Sequence, residues 1–424
     1  MLTAMIVIAL ILLALGLPLY LVFLTSSIVA LVGFTNISLI MISQTMFDSL
    51  NTMVLLAVPY FILSGDIMGR SKMTNSLADF FNAVIGRVPG SNGVVTVVSS
   101  AFFGAISGSS PAAVATIGKV MYPEMIRDGY GPRFTSGLIT SAGNLAIIVP
   151  PSITMILYSA VTNVSVGRLF IAGVVPGVLL TILLSGYVIY YARKHHINRV
   201  ERFSWKNVLS KSKVAVPTLL MPVIVLGGIY GGIFTPTEAA IVSAIYAAVA
   251  AFIFNKDYRF REFWISLRES AKLTAQILVI MASAGVFSQV LVMGQVPQQI
   301  SRFITEMNIS PIMLLVIVNV VFIFAGMFID SASAIVALIP LIAPIVSGAG
   351  IDLIHFGLVI VINLAIGMFT PPFGLNLFTT LALFKVDIKT VSVGLIPFFF
   401  IFLIVLLLVT YVPSLTLWLP NLMY

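Results

Sequence analysis

Residues 102–118 read FFGAISGSSPAAVATIG. Apolar residues flank a run of small and hydroxyl-bearing ones, Ser107, Gly108, Ser109 and Ser110, closed by Pro111. An apolar helix that breaks inside a bilayer frees backbone N–H and C=O groups. Each is costly unless protein, water or an ion satisfies it. A break of this composition points to a cavity of the kind in which transporters hold ions and substrates. A helix-packing seam of Gly and Ser is the plainer alternative.

Composition sets the same scene. The chain has 424 residues, 60% hydrophobic and only 8% charged, where soluble chains carry about 25% charged residues. An all-α polytopic membrane protein is therefore expected. The formal charge is +8, but no basic face with interleaved aromatics points to nucleic acid. Cysteine is absent, which excludes disulfides, thiolate metal sites and cysteine nucleophiles. The histidines, His195, His196 and His355, are too few for a haem or zinc cluster. The apolar start lacks a basic flank and a small-residue cleavage site, so a retained helix is expected rather than a signal peptide.

Taken in order, residues 2–15 and 19–34 read as apolar helices separated by Gly16-Leu17-Pro18. Residues 36–49 carry Asn36, Ser43, Gln44 and Asp48 and read as an amphipathic surface helix. Residues 51–69 span, and Arg70, Lys72 and Arg87 mark the following loop. A re-entrant hairpin is expected at about 91–126, a span broken at Pro150-Pro151 over 133–160, and a further span over 169–192. Residues 193–213, with Arg193, Lys194, Arg199, Arg202, Lys206, Lys211 and Lys213 against Glu201, read as a basic cytoplasmic linker. The second half, 214–424, offers spans at 214–231 and 238–255, then an amphipathic stretch at 256–270 bearing Lys256, Arg259, Arg261 and Arg268. A span at 272–292, a polar connection at 294–310 and a hairpin at about 311–346 follow. A span over 356–384 broken at Thr370-Pro371-Pro372 and a last span over 391–412 complete it.

The halves are in register. Pro150-Pro151 and Pro371-Pro372 lie 221 residues apart, as do Pro123 and Pro344, Gly173 and Gly394, and Pro176 and Pro397. Asn-Leu-Ala-Ile occurs at 144–147 and again at 363–366. These markers are punctuation residues, so duplication is expected. Five crossings per half make the second copy enter from the opposite side, giving two inverted-topology repeats, 1–192 and 214–424, with both termini periplasmic. Inverted repeats with a midplane site at their interface are a common transporter plan.

Four segments converge on that midplane. The first hairpin tip offers Ser107, Gly108, Ser109 and Ser110; the first broken span offers Gly143, Asn144 and the carbonyls before Pro150. The second tip offers Asp330, Ser331 and Ser333; the second broken span offers Asn363, Gly367 and Thr370. Proline leaves carbonyls before it without helical partners. Hydroxyls, amide oxygens and carbonyls make hard oxygen cages suited to an alkali cation, and helix N-termini at the tips suit an anionic group. An acid inside a membrane segment, as at Asp330, is functional by default. Glu238 reads as a helix cap, Asp66 and Glu124 as near-surface groups, and His355 as an interfacial loop residue.

SGSSPAAVATIG, VPPSITMILYSAVTNVSVGRLFIAGVVPG, GGIFTPTEAA and GMFTPPFGLNLF together make the chain resemble, from end to end, the large membrane subunit of tripartite ATP-independent periplasmic (TRAP) transporters. The resemblance implies an elevator-type secondary importer of organic acids in the bacterial inner membrane, driven by sodium. It implies two partners, a small membrane subunit carried on a separate chain and a soluble periplasmic substrate-binding protein. It implies sodium sites at Ser107, Ser109, Ser110 and Asn144 on one side, and at Asp330, Ser333, Asn363 and Thr370 on the other. Gly143 and Gly367 are counted with these ligands, and Ser107, Gly108, Ser110, Ser331 and Asn363 are the expected substrate contacts. An organic anion such as a four-carbon dicarboxylate or a sialic acid is expected, with other carboxylates and sulfonates left open, and no organic cofactor is expected. An ion channel or exporter on a similar scaffold is the second reading. An intramembrane serine hydrolase is a third, against which stands the lack of a histidine or lysine base in the broken segments.

Overall fold

The computed structural model describes residues 1–35, 37–71, 73–197, 204–254 and 258–424. Asn36, Lys72, Arg199, Glu201, Arg202 and Lys256 lie outside the described residues. Every regular element among those described is helical. Among the described residues eight helices are long and apolar enough to cross a bilayer, or nine if the pair Pro132–Ile148 and Ile153–Thr162, bent by 41°, counts as one span. Leu2–Ala14, with 13 residues, falls short of the roughly 20 that a crossing takes. Large apolar side chains such as Leu10, Val223, Phe254 and Ile404 are more than half exposed, the surface a bilayer would cover.

Local chemistry places the breaks. The first hairpin runs Ser91–Ser107, turns at Gly108 with φ 58°, and returns as Ser110–Arg127. Only glycine adopts that left-handed backbone freely. A Cβ at Gly108 would also lie 2.9 Å from the Ile153 nitrogen, so the tip is wedged against the first double proline. The second hairpin runs Pro311–Phe328 and Ser331–Gly348, joined by extended Ile329 and Asp330. Pro150-Pro151 and Pro371-Pro372, both cis, end the helical turn Leu145–Ile148 and the helix Leu353–Phe369. Half-helices Ile153–Thr162 and Leu375–Phe384 continue beyond them.

The core is built around the broken spans. In Leu353–Phe369 every residue from Ile354 onward is buried, as expected of a helix that is apolar all round. In Pro132–Ala142 the same holds from Phe134 onward. Glycines let backbones meet there. A Cβ on Gly367 would lie 2.5 Å from Gly326 Cα, and one on Gly137 would lie 2.4 Å from the Gly394 carbonyl oxygen. The second contact seats the first broken span on Ile388–Tyr411, from the other half of the chain.

Several elements differ from expectation. The amphipathic stretch at 256–270 and the span at 272–292 are joined in one helix, Phe260–Met293. The counterpart in the first half does break into Ile40–Leu50 and Met53–Arg70. The loop after Arg70 and the connection at 294–310 each contain an amphipathic helix, Met73–Ile85 and Val296–Glu306, ahead of a hairpin. The basic linker is helical at both ends. Arg193 and Lys194 close Val166–Lys194, and Lys206, Lys211 and Lys213 open Trp205–Tyr230, with Lys211 Nζ 2.6 Å from Asp79 Oδ2. His355 is not a loop residue; it lies in the first turn of Leu353–Phe369, is 3% exposed, and its Nδ1 lies 2.8 Å from Thr416 Oγ1. Glu238 does cap its helix, accepting from the Thr235 N–H and hydroxyl, both at 2.8 Å.

Candidate functional site

The two tips face one cavity of about 390 Å³. Ser107, Gly108, Ser109 and Ser110 line it from the first tip, and Asp330, Ser331 and Ala332 from the second. Helices Met53–Arg70 and Phe260–Met293 close the far side with Gly65, Asp66, Leu273 and Gln276. Among the described residues no Lys or Arg lines it. Asp66 accepts from Arg70 Nε at 2.6 Å, so it enters the cavity wall already paired.

At the first tip the polar groups form a directed chain. Asn144 Nδ2 donates to the Thr140 carbonyl at 3.0 Å, which turns its Oδ1 toward the tip. Ser110 donates its hydroxyl to that Oδ1 at 2.9 Å. Gly143 lets the span approach, since a Cβ there would lie 2.3 Å from Val114 Cγ2 and 3.3 Å from the Ser110 carbonyl oxygen. Ser107 and Ser109 bond each other, the Ser109 N–H donating to Ser107 Oγ at 3.3 Å.

The second tip is organised differently. Asp330 is the N-cap of Ser331–Gly348, accepting from the Ser333 N–H at 3.0 Å and its hydroxyl at 2.5 Å. Ser109, the equivalent cap of Ser110–Arg127, makes no side-chain bond to its helix. A helix N-terminus carries about half a positive charge. At the second tip a carboxylate already compensates it; at the first tip, among the described residues, no capping side chain does. The cavity is therefore electrostatically polarised between two similar tips.

Of the expected substrate contacts, Ser107, Gly108, Ser110 and Ser331 line the cavity, and Asn363 does not. Asn363 is fully buried behind the second hairpin, where its Nδ2 donates to Asn319 Oδ1 and the Val359 carbonyl, both at 2.8 Å. Its Oδ1 has no partner. Gly367 packs on Gly326, and Thr370 donates back to the Ile366 carbonyl at 2.6 Å. The second set thus divides into Asp330 and Ser331 at the cavity, Ser333 buried and bonded to Asp330, and Asn363, Gly367 and Thr370, which do not line it.

The structure adds residues that sequence reading passed over. Thr154, from the first broken span, meets Ser331 at 3.1 Å. Asn376, from the second, donates its Nδ2 to Ser110 Oγ. Each broken span therefore sends a polar side chain to the other half's tip. Asn319 and Asn376 carried a usable signal, since each is a lone amide in an apolar helix.

Residues 6–415 match the family described as the tripartite ATP-independent periplasmic transporter, DctM component. The chain belongs to this family. It is 42% identical to the C4-dicarboxylate TRAP transporter large permease protein DctM of Pseudomonas aeruginosa, covering 89% of this chain and 88% of that one. It is 35% identical to the ectoine TRAP large permease TeaC of Halomonas elongata, over 87% of each chain. It is 33% identical to the sialic acid TRAP large permease SiaM of Vibrio cholerae, over 90% of this chain and 89% of that one. The YdaH transporter of Alcanivorax borkumensis shares the fold at 13% identity, with TM-score 0.60 over 87% of this chain and 86% of that one. The DctM-family chain is accordingly a multi-pass membrane permease.

Proposed function

We propose that this permease is the large subunit of a sodium-coupled importer of an organic anion, a carboxylate of the four-carbon dicarboxylate or sialic acid class. It works in the bacterial inner membrane, with both termini periplasmic, beside a small membrane subunit and a periplasmic binding protein that delivers the substrate. Its two halves are inverted repeats, and the hairpins and broken spans move as an elevator against the remaining helices. The uncompensated helix N-terminus at Ser110, in a cavity shared by two hydroxyl-rich tips, carries this reading. A substrate carboxylate placed there gains the first-turn N–H groups and the helix dipole. No Lys or Arg is at hand among the described residues of the wall, so the remaining negative charge calls for mobile cations. Oxygen donors at Ser107, Ser109, Ser110, Gly143 and Asn144 suit sodium by type, as do Asp330 and Ser333 at the second tip and, separately, Asn363, Gly367 and Thr370 in the second broken span. The named relatives take dicarboxylates, sialic acid and ectoine, which fits a cavity that reads charge placement more than shape.

The test is initial uptake against sodium concentration in proteoliposomes holding both membrane subunits and the binding protein. Asp330→Asn keeps the cap's shape and one oxygen and removes the charge; it is expected to weaken sodium activation by about tenfold. Ser109→Ala and Asn144→Ala weaken it too, whereas Ser43→Ala, exposed on the helix Ile40–Leu50, leaves it unchanged. Unaltered sodium dependence in all three site variants rejects the two-cage assignment. Uptake driven by protons with sodium absent rejects the coupling ion.

A further inference from the structure

The half-helix Leu375–Phe384 comes from the second half of the chain, yet it is fastened along the first. Thr380 Oγ1 lies 2.7 Å from Thr140 Oγ1, and the Phe384 ring stacks on Tyr122 at 4.3 Å. At its start, fully buried Asn376 donates to Ser110. The hydrogen-bond directions along this chain are determined step by step. The Thr140 carbonyl can only accept, so Asn144 presents Nδ2 to it and Oδ1 to Ser110. Ser110 has a single hydroxyl hydrogen, and Asn144 takes it. Only the Nδ2 side of Asn376 can then face Ser110. Its Oδ1 is buried and has no partner. A buried amide oxygen left bare is unfavourable, and at a tip rich in hydroxyl and carbonyl oxygens it has the donor chemistry of an alkali-cation ligand.

We infer that Asn376 Oδ1 is a ligand of the cation held at the first tip, so that this site is completed by the other half of the chain. The inference rests on the sodium reading above and extends it. Asn376 then does two jobs. Its Nδ2 orders Ser110 and Asn144, and its Oδ1 enters the cage. A cation bound there also fixes the stretch just after Pro371-Pro372, which joins the first tip to the second broken span.

The full chain, purified into lipid nanodiscs, is tested by its thermal midpoint titrated with sodium chloride, with choline chloride holding ionic strength constant. The unmodified protein is expected to show saturable, sodium-specific stabilisation. Asn376→Ala is expected to raise the half-saturating sodium concentration about tenfold or more. Asn376→Asp loses the donor but keeps an oxygen in place, and is expected to stay within about threefold. Thr380→Val removes another clasp on the same half-helix and leaves half-saturation unchanged. An unchanged Asn376→Ala, or an Asn376→Asp as weak as alanine, overturns the ligand assignment and leaves the sodium reading standing. If the alanine variant is not recovered folded, Asn376→Asp alone decides, retention supporting the assignment and loss overturning it. No sodium-specific stabilisation of the unmodified chain overturns the sodium reading and this assignment together.

Discussion

At the scale of single residues, packing around the glycines separates two classes. A methyl group at Gly367 meets the Gly326 backbone at 2.5 Å, which no rotamer change relieves, whereas Gly227 has open space around it. Gly367→Ala is expected to destabilise by about 1–3 kcal/mol through overpacking, lowering the thermal midpoint in detergent. Gly227→Ala, inside the helix Trp205–Tyr230, is expected to raise the midpoint slightly, since alanine is the better helix former. Equal effects would mean that the Gly326–Gly367 approach is not tight. The site was legible where its residues sit in a break. Ser107 to Ser110 and Asn144 combine small size, hydroxyls or amide with a proline nearby. Asn363 repeats the motif of Asn144 but not its setting. The first helix stops at Ala142 and leaves Asn144 in the gap, whereas the second runs unbroken to Phe369 and buries Asn363 within it. Asn376 stood out as a lone amide, but its partner is 266 residues away, and no local pattern names a partner at that range.

At the scale of elements, double prolines and glycine-serine runs located both hairpins and both broken spans, because these residues act on the backbone next to them. Fusion of two expected elements into Phe260–Met293 was not legible, since whether a polar stretch bends away or continues straight depends on what packs against it. The helices Met73–Ile85 and Val296–Glu306 were missed for a related reason. They are short and amphipathic, and tertiary packing supplies most of the stability of such helices. The order of elements recurs across the halves, and its inversion is open to direct measurement. Without native cysteine, single cysteines at exposed Lys206, Arg261, Gln298 and Gly350 report sidedness without background. The first two are expected to react with an impermeant maleimide only from the cytoplasm, the last two only from the periplasm. Lys206 and Gln298 labelled from the same face would end the inverted-repeat proposal.

At the scale of the whole molecule, the 390 Å³ cavity has room for one small acid, and the described chain folds no soluble domain beside its helical body. In the proposed function, capture of dilute substrate falls to the binding protein. Purified large subunit alone is expected to give no saturable sodium-driven accumulation in proteoliposomes, and adding the small subunit and the cognate binding protein restores it. Robust uptake by the large subunit alone would remove the requirement for partners.

The crossing of Asn376 onto Ser110 also bears on how the protein is made. Ser110 leaves the ribosome 266 residues before the second partner of its hydroxyl exists. At about 5–20 residues per second that interval is on the order of ten to fifty seconds. Throughout it the first tip is inserted with Asn144 in place and Asn376 still unmade. The half of the chain synthesised first therefore waits, unfinished at its centre, until the segment after the second double proline has been made.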